Sequence, residues 1–338
     1  MRGLVIGLGV VSVLWTGLWL GASALAKRGV NDWVASRQQV GQMAGHDGLS
    51  VQGWPGRLTL TLDAPYYADP WTGLSWVGPR AQVTLDALKP TALRAEMPGV
   101  QTLHTPAGTL TLSTDALEAE VALAGTDLAL DSVGLRARLF DLAGPDGAGL
   151  RFDSFELDLH RGDAPARYML DWRMTAIRPD PARTTLPGAE GAEMPGTIDR
   201  VGLRAALDLT APLDRHAGVR AEPPALQALR FDDIALDWGR AEITGTGALA
   251  PDARGFAEGE IVLNVRNWPD LIAVAVALDW LDAELAPTWT RFLTLLQDET
   301  PEAAAEGVLV ARLRFGGGRA RLGPIPLGPA PLMVPAGF

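Results

Sequence analysis

The sequence predicts a mainly β chain: an elongated, curved antiparallel sheet with an N-terminal transmembrane helix and a short helical pair near the C-terminus. Three observations carry this expectation. Gly3 to Ala26 is a run of twenty-four residues without a charge. From about Leu49 onward, short stretches alternate apolar and polar residues. Such alternation buries one face of a strand, as antiparallel sheets do, whereas parallel sheets read as near-continuous apolar runs. Between Asn267 and Leu296, apolar residues recur at helical spacing instead.

At 1.5 Å per residue the uncharged run makes a helix of about 36 Å, enough to cross a hydrocarbon core of about 30 Å with some tilt. A cleaved signal peptide is the rival reading, because Ala22-Ser23-Ala24 and Ala24-Leu25-Ala26 are small-x-small cleavage patterns. The run is longer than a usual signal core, and Trp15 and Trp19 suit a membrane interface, so residues 1–26 are read as an uncleaved anchor. Arg2 and the amino terminus balance Lys27 and Arg28, so flanking charge sets no direction. Gly17 and Gly21 have the spacing of a helix-packing motif, which is common in apolar runs. Residues 27–45 continue as a helical extension, with Gly45 and Gly48 expected to end it.

Leu58-Thr-Leu60-Thr-Leu62 opens the strands, with leucines on one face and threonines on the other. The same period of two returns at Phe155 to Leu159, Val201 to Leu209, Ile261 to Val265 and Leu309 to Phe315. Turn signals such as Gly144-Pro145-Asp146-Gly147 separate strands. Residues 46–177 form a first β half and residues 198–266 a second. Between them, residues 178–197 are rich in Pro and Gly, without periodicity, and read as a long surface loop and a boundary. Residues 267–300 are the helical pair: Asn267 is the candidate N-cap, Leu271, Val274, Leu278, Leu281 and Leu285 form one stripe, and Pro287 interrupts it before Trp289. Residues 301–338 form a C-terminal hairpin turning at Gly316 to Gly318, and a Pro-rich tail.

Composition narrows the function classes. A net charge of −11 without a basic stripe argues against a nucleic-acid partner. The chain has no cysteine, which excludes disulfides, thiolate chemistry and Cys-based metal sites. His46, His104, His160 and His216 are scattered and lack metal-ligand spacing. Gly73-Leu-Ser75-Trp-Val-Gly78 lacks the spacing of a hydrolase nucleophile elbow. Paired carboxylates can act on sugars. Glu156 and Asp158, however, fall on the polar side of an alternating strand, and Asp232, Asp233 and Asp237 form a similar cluster. No catalytic, cofactor-binding or metal-ligating residue is assigned, and no cofactor is expected. The eleven tryptophans are more suggestive, since indole favours places with one apolar and one wet side.

Leu49-Ser-Val-Gln-Gly-Trp-Pro55, Arg57-Leu-Thr-Leu60, Ala68-Asp-Pro-Trp-Thr-Gly-Leu-Ser-Trp76 with Pro79, and Thr105 to Ser113 resemble a family of uncharacterised alphaproteobacterial envelope proteins. The resemblance covers most of the chain and implies a location and an architecture, with no catalytic residues. A looser similarity, at Leu236 to Gly239, Ile243 to Gly247, Gly255 to Asn267 and Gly318 to Leu327, is to AsmA-like proteins. That likeness implies an inner-membrane anchor through residues 3–26, a β-rich periplasmic body and an apolar groove or open barrel. The expected function is a non-enzymatic one, binding or transferring phospholipid or another acyl-chain lipid, or maintaining the envelope. Leu203, Leu207, Leu209, Leu263, Val265, Leu278 and Trp289 are the candidate groove lining. An envelope structural protein with a closed β core and a carboxylate hydrolase are the alternatives.

Overall fold

The computed structural model of the protein describes residues 2–87, 89–144, 149–180, 182–217 and 222–333, with side chains from Trp15 onward. Strands far outnumber helices, and twenty of them belong to one antiparallel sheet that does not close into a barrel. The chain divides into two compact units, residues 1–123 with 134–148, and residues 124–133 with 149–338.

The first unit begins with helix α1 (Arg2–Gln39). It continues through strands β1 (Met43–Gly45), β2 (Gly48–Gln52), β3 (Arg57–Asp63), β4 (Tyr66–Asp69), β5 (Leu74–Val77) and β6 (Arg80–Asp86). Strands β7 (Lys89–Glu96), β8 (Gln101–Thr105), β9 (Gly108–Ser113) and β10 (Ala116–Ala124) follow, and β11 (Ala129–Ala143) contributes its C-terminal part. One antiparallel ladder runs β2–β3–β6–β7–β10. Another runs β1–β4–β5–β8–β9–β11. The alternation predicted at residues 58–62 holds: Leu58 and Leu60 are buried, while Thr59 reaches the hydroxyl of Thr84 across the ladder at 3.2 Å.

The helical extension is shorter than predicted. It ends at Gln39, because Gly41 takes φ +83° and residues 41–42 donate back to the Gln38 and Arg37 carbonyls. Gly45 and Gly48 instead lie in β1 and β2. Among the described residues no helix is long and apolar enough to cross a membrane. Residues 3–14 of the predicted span lie outside the described side chains, as do residues 145–147 of the predicted turn.

The second unit is a meander. Strands β12 (Gly149–Arg161), β13 (Arg167–Ile177), β16 (Ile198–Leu209), β17 (Leu226–Trp238), β18 (Ala241–Pro251), β19 (Ala257–Arg266), β20 (Val308–Gly316), β21 (Arg319–Leu322) and β22 (Ile325–Pro329) each pair with the next, all antiparallel. Positive φ at Gly317 and Gly318 makes the predicted β20–β21 hairpin turn. Two insertions interrupt the meander. The first, after β13, carries a small hairpin of β14 (Thr185–Pro187) and β15 (Glu193–Pro195). The second, after β19, carries α2 (Trp268–Ala277), α3 (Ala286–Asp298) and α4 (Pro301–Ala305).

Both insertions differ from their sequence reading. Residues 178–197 do not mark the division between the units, since β13 and β16 on either side are direct partners. Nor are they a bare surface loop: Leu186 and Met194 are buried. Helix α2 stops at Ala277, leaving Leu281 and Leu285 outside it, because Asp279 adopts φ +58°. Asn267 does not cap α2 with its side chain; at φ +50° it donates instead to the Arg240 carbonyl at 2.6 Å. Pro287 sits in the first turn of α3, where its missing N–H costs nothing.

Candidate functional site: an apolar sheet face closed at one end

Register gathers the large apolar residues of the central strands largely on one face, with Met169, Val262 and Val310 among the exceptions. Leu203 of β16 lies opposite Trp172 on one side and Ile234 on the other, and Leu207 lies between Tyr168 and Leu229. Ile234 aligns with Gly245, and Gly245 with Leu263. An apolar surface therefore runs unbroken across the strands. A bulge at Asp232 and Asp233 keeps Phe231 and Ile234 on this face despite two residues between them.

The opposite face is ionic. Arg200 pairs with Asp237 at 2.7 Å, Arg204 with Asp233 at 3.1 Å, and Arg314 with Glu260 at 2.7 Å, each directly cross-strand. Arg167 donates to Asp208 at 2.6 Å, and this hydrogen bond holds the Asp208 carboxyl below its ordinary pKa. These pairs absorb Asp233 and Asp237 of the acidic cluster singled out in the sequence, and Asp232 pairs with Arg230 at 2.8 Å. Among the described residues no group of His, Asp and Glu is arranged to hold a metal ion.

Burial along the apolar face is graded. Leu203, Leu207, Leu209 and Leu263 are half-buried, neither packed away nor fully solvated. Further along, the face closes. Val265, Leu309, Ala311 and Leu322 form a buried cluster with Trp268, Leu293 and Leu296 of the helices. Trp289 packs against this cluster beside Phe292, their rings 6.0 Å apart and edge-on. Leu278 is half-buried at the end of α2. Of the seven candidate lining residues, five thus share one sheet face, of which Val265 lies under the helical cover; the other two are Trp289 of α3 and Leu278 at the end of α2.

One buried charge escaped the sequence reading. Asp270, in the first turn of α2, is 1% exposed. Its Oδ1 accepts from the Ala189 backbone N–H and from Arg240 Nη2, both at 2.8 Å, and Arg240 Nε lies 2.8 Å from Oδ2. Gly188 permits this approach, since a Cβ there would sit 3.0 Å from the same oxygen. Trp238 Nε1 donates to the Pro195 carbonyl at 2.7 Å, and Arg183 reaches the Ala277 carbonyl at 2.8 Å. The β14–β15 hairpin is thereby clasped to α2 and to the end of β17. Between hairpin and helices lies an open, mostly apolar cleft of about 630 Å³, lined by Pro187, Ala189, Trp268, Ile272, Val276 and Thr290 among others. An acid in a first helical turn is an ordinary sequence feature, so only its burial distinguishes Asp270.

Asp270→Ala strands the Ala189 amide without its acceptor. That costs roughly 1–3 kcal/mol, and amide exchange across residues 185–195 is expected to accelerate while β18 and β19 stay protected. Unchanged exchange in the hairpin would show that the carboxylate does not hold it.

Fold and site define a mainly β protein that presents a broad apolar sheet face, helix-capped at one end. The chain belongs to a family described as uncharacterized protein conserved in bacteria (DUF2125), whose sequence model matches residues 19–331. No curated protein and no solved structure matches it.

Proposed function

We propose that this is a membrane-anchored periplasmic protein whose second unit binds an acyl-chain lipid along its apolar sheet face, without catalysing a reaction. The observation that carries the reading is the graded burial of that face: Leu203, Leu207, Leu209 and Leu263 are half-buried, while sealed clusters lie beneath α2 and α3 and around Leu249, Ala257 and Ala330. A sheet whose core is filled by its own side chains packs its large apolar residues below solvent reach. An acyl chain laid on half-buried leucines gains about 0.8 kcal/mol per methylene removed from water, so a contact of about ten methylenes is a substantial contribution. Curvature into a trough has local support. An added Cβ at Gly247 would lie 2.6 Å from the Glu260 carbonyl, so β18 and β19 approach more closely than side-chain-bearing strands do.

The sealed clusters favour a second reading, an envelope structural protein in which the remaining face is covered in the same way. Native mass spectrometry of the detergent-extracted protein separates the two. Co-purified phospholipid that survives detergent exchange is the expected result; a bare polypeptide mass in every preparation overturns lipid binding.

A further inference from the structure

The uncharged start of α1 is not free of the first unit. Trp15 Nε1 donates to the Pro55 carbonyl at 2.9 Å and Trp19 Nε1 to the Arg57 carbonyl at 2.8 Å. One turn further along, Ser23 is buried, its hydroxyl returned to the Trp19 carbonyl at 2.8 Å. Residues 15, 19 and 23 thus form one helix face laid against the β2–β3 hairpin. Pro55 lies in the turn and Arg57 opens β3, while Trp15 and Trp19 are one helical turn apart. The more N-terminal indole meets the turn and the next one meets the start of β3, so the hairpin tip is directed toward the helix N-terminus. At that tip Trp54 is 54% exposed, and Gln52 to Arg57 are exposed throughout. Leu18 and Leu20 are exposed on the neighbouring surface of α1. Arg57 lies opposite Asp86 in the ladder, so the β6–β7 turn, with exposed Lys89, shares this end of the sheet.

These contacts limit how far α1 can enter a bilayer. If all of Gly3 to Ala26 lay in hydrocarbon, the latched tip would be carried inside with it. A turn backbone and an arginine cannot reside there, because lipid offers no hydrogen-bond partners. We infer that the β2–β3 tip, with Trp15, Trp19 and Trp54, is a collar seated in the phospholipid headgroup layer. It stops α1 after residues 3–14, about 18 Å of helix, which is little more than one leaflet. Indole rings favour that layer, and Arg57 and Lys89 face the lipid phosphates from it. The inference rests on the anchored reading above and replaces a complete crossing with entry into one leaflet.

The absence of cysteine makes the test direct. Single-cysteine variants of the full chain are spin-labelled at Gly56→Cys, where an added Cβ meets nothing within 4 Å, at Leu25→Cys and at Trp71→Cys. Trp71 is 84% exposed and lies beside Gly41, beyond the far end of α1. Each is reconstituted into vesicles of three parts phosphatidylcholine to one part phosphatidylglycerol. Collisions with oxygen and with an aqueous nickel chelate then report depth. The expected result is loss of most nickel collisions at position 56, with positions 25 and 71 remaining aqueous. Adding Trp15→Phe and Trp19→Phe, which removes both indole donors, is expected to restore nickel access at position 56. A label at position 25 more shielded than one at 56, or a label at 56 as open as at 71 on vesicle-bound protein, overturns the collar and leaves the anchor standing. Protein that stays in the supernatant overturns both.

Discussion

Leu207→Asp is expected to abolish co-purified lipid while leaving a folded protein. Leu207 is half-buried on the apolar face, between Tyr168 and Leu229. A carboxylate there keeps part of its hydration, so the fold is only mildly perturbed, but it presents a charge where an acyl chain would lie. The comparison variant is Leu309→Ala, since Leu309 is 2% exposed within the sealed cluster. Its truncation is expected to cost about 2–5 kcal/mol through lost transfer energy and a residual cavity. If the face is an open lipid surface, Leu207→Asp lowers the melting temperature less than Leu309→Ala and removes the lipid signal. If the face is a closed core, burying an unpaired charge makes Leu207→Asp at least as damaging. The ranking of the two melting temperatures, read beside lipid content, decides between the readings.

Period-two alternation made the second unit legible. Residues 201–209, 261–265 and 309–315 all lie in strands, and Arg204 and Asn264 fall on the face opposite the leucines. Whether that leucine face is covered was not legible, because the same alternation serves an enclosed sheet and an open one. Helical spacing overran at α2 for a related reason. Leu281 and Leu285 continue the stripe, yet apolar periodicity carries no information about the left-handed turn at Asp279. Asp270 and the indoles of Trp15 and Trp19 were missed differently. Three of their partners are backbone groups, at Ala189, Pro55 and Arg57, some 40 to 80 residues away in the chain. A backbone partner leaves no residue-type signal, so no pattern of side chains could announce these bonds.

Gly259→Ala should be among the most damaging single-methyl additions in the second unit. Gly259 lies in β19, between Leu249 of β18 and Phe315 of β20, at φ +141°, a backbone conformation that L-residues rarely adopt. A Cβ built there would sit 2.1 Å from the Ala248 carbonyl oxygen and 3.2 Å from the Leu249 Cα. These are backbone atoms of a paired strand, so no rotamer change relieves the clash; either β18 and β19 separate or the residue moves to another backbone conformation. Strain and overpacking together are expected to cost roughly 2–5 kcal/mol. For a unit of this size that lowers the melting temperature by about 5–15 °C. Gly202→Ala is the matched control. It lies in β16 of the same sheet, and its added Cβ meets only the Trp172 carbonyl at an ordinary 3.6 Å. That change is expected to be neutral or slightly stabilising, because it removes conformational freedom from the unfolded chain without strain. Equal melting temperatures for the two variants would mean that β18 and β19 do not approach as closely as the proposed trough requires, and the proposed curvature would lose its local basis.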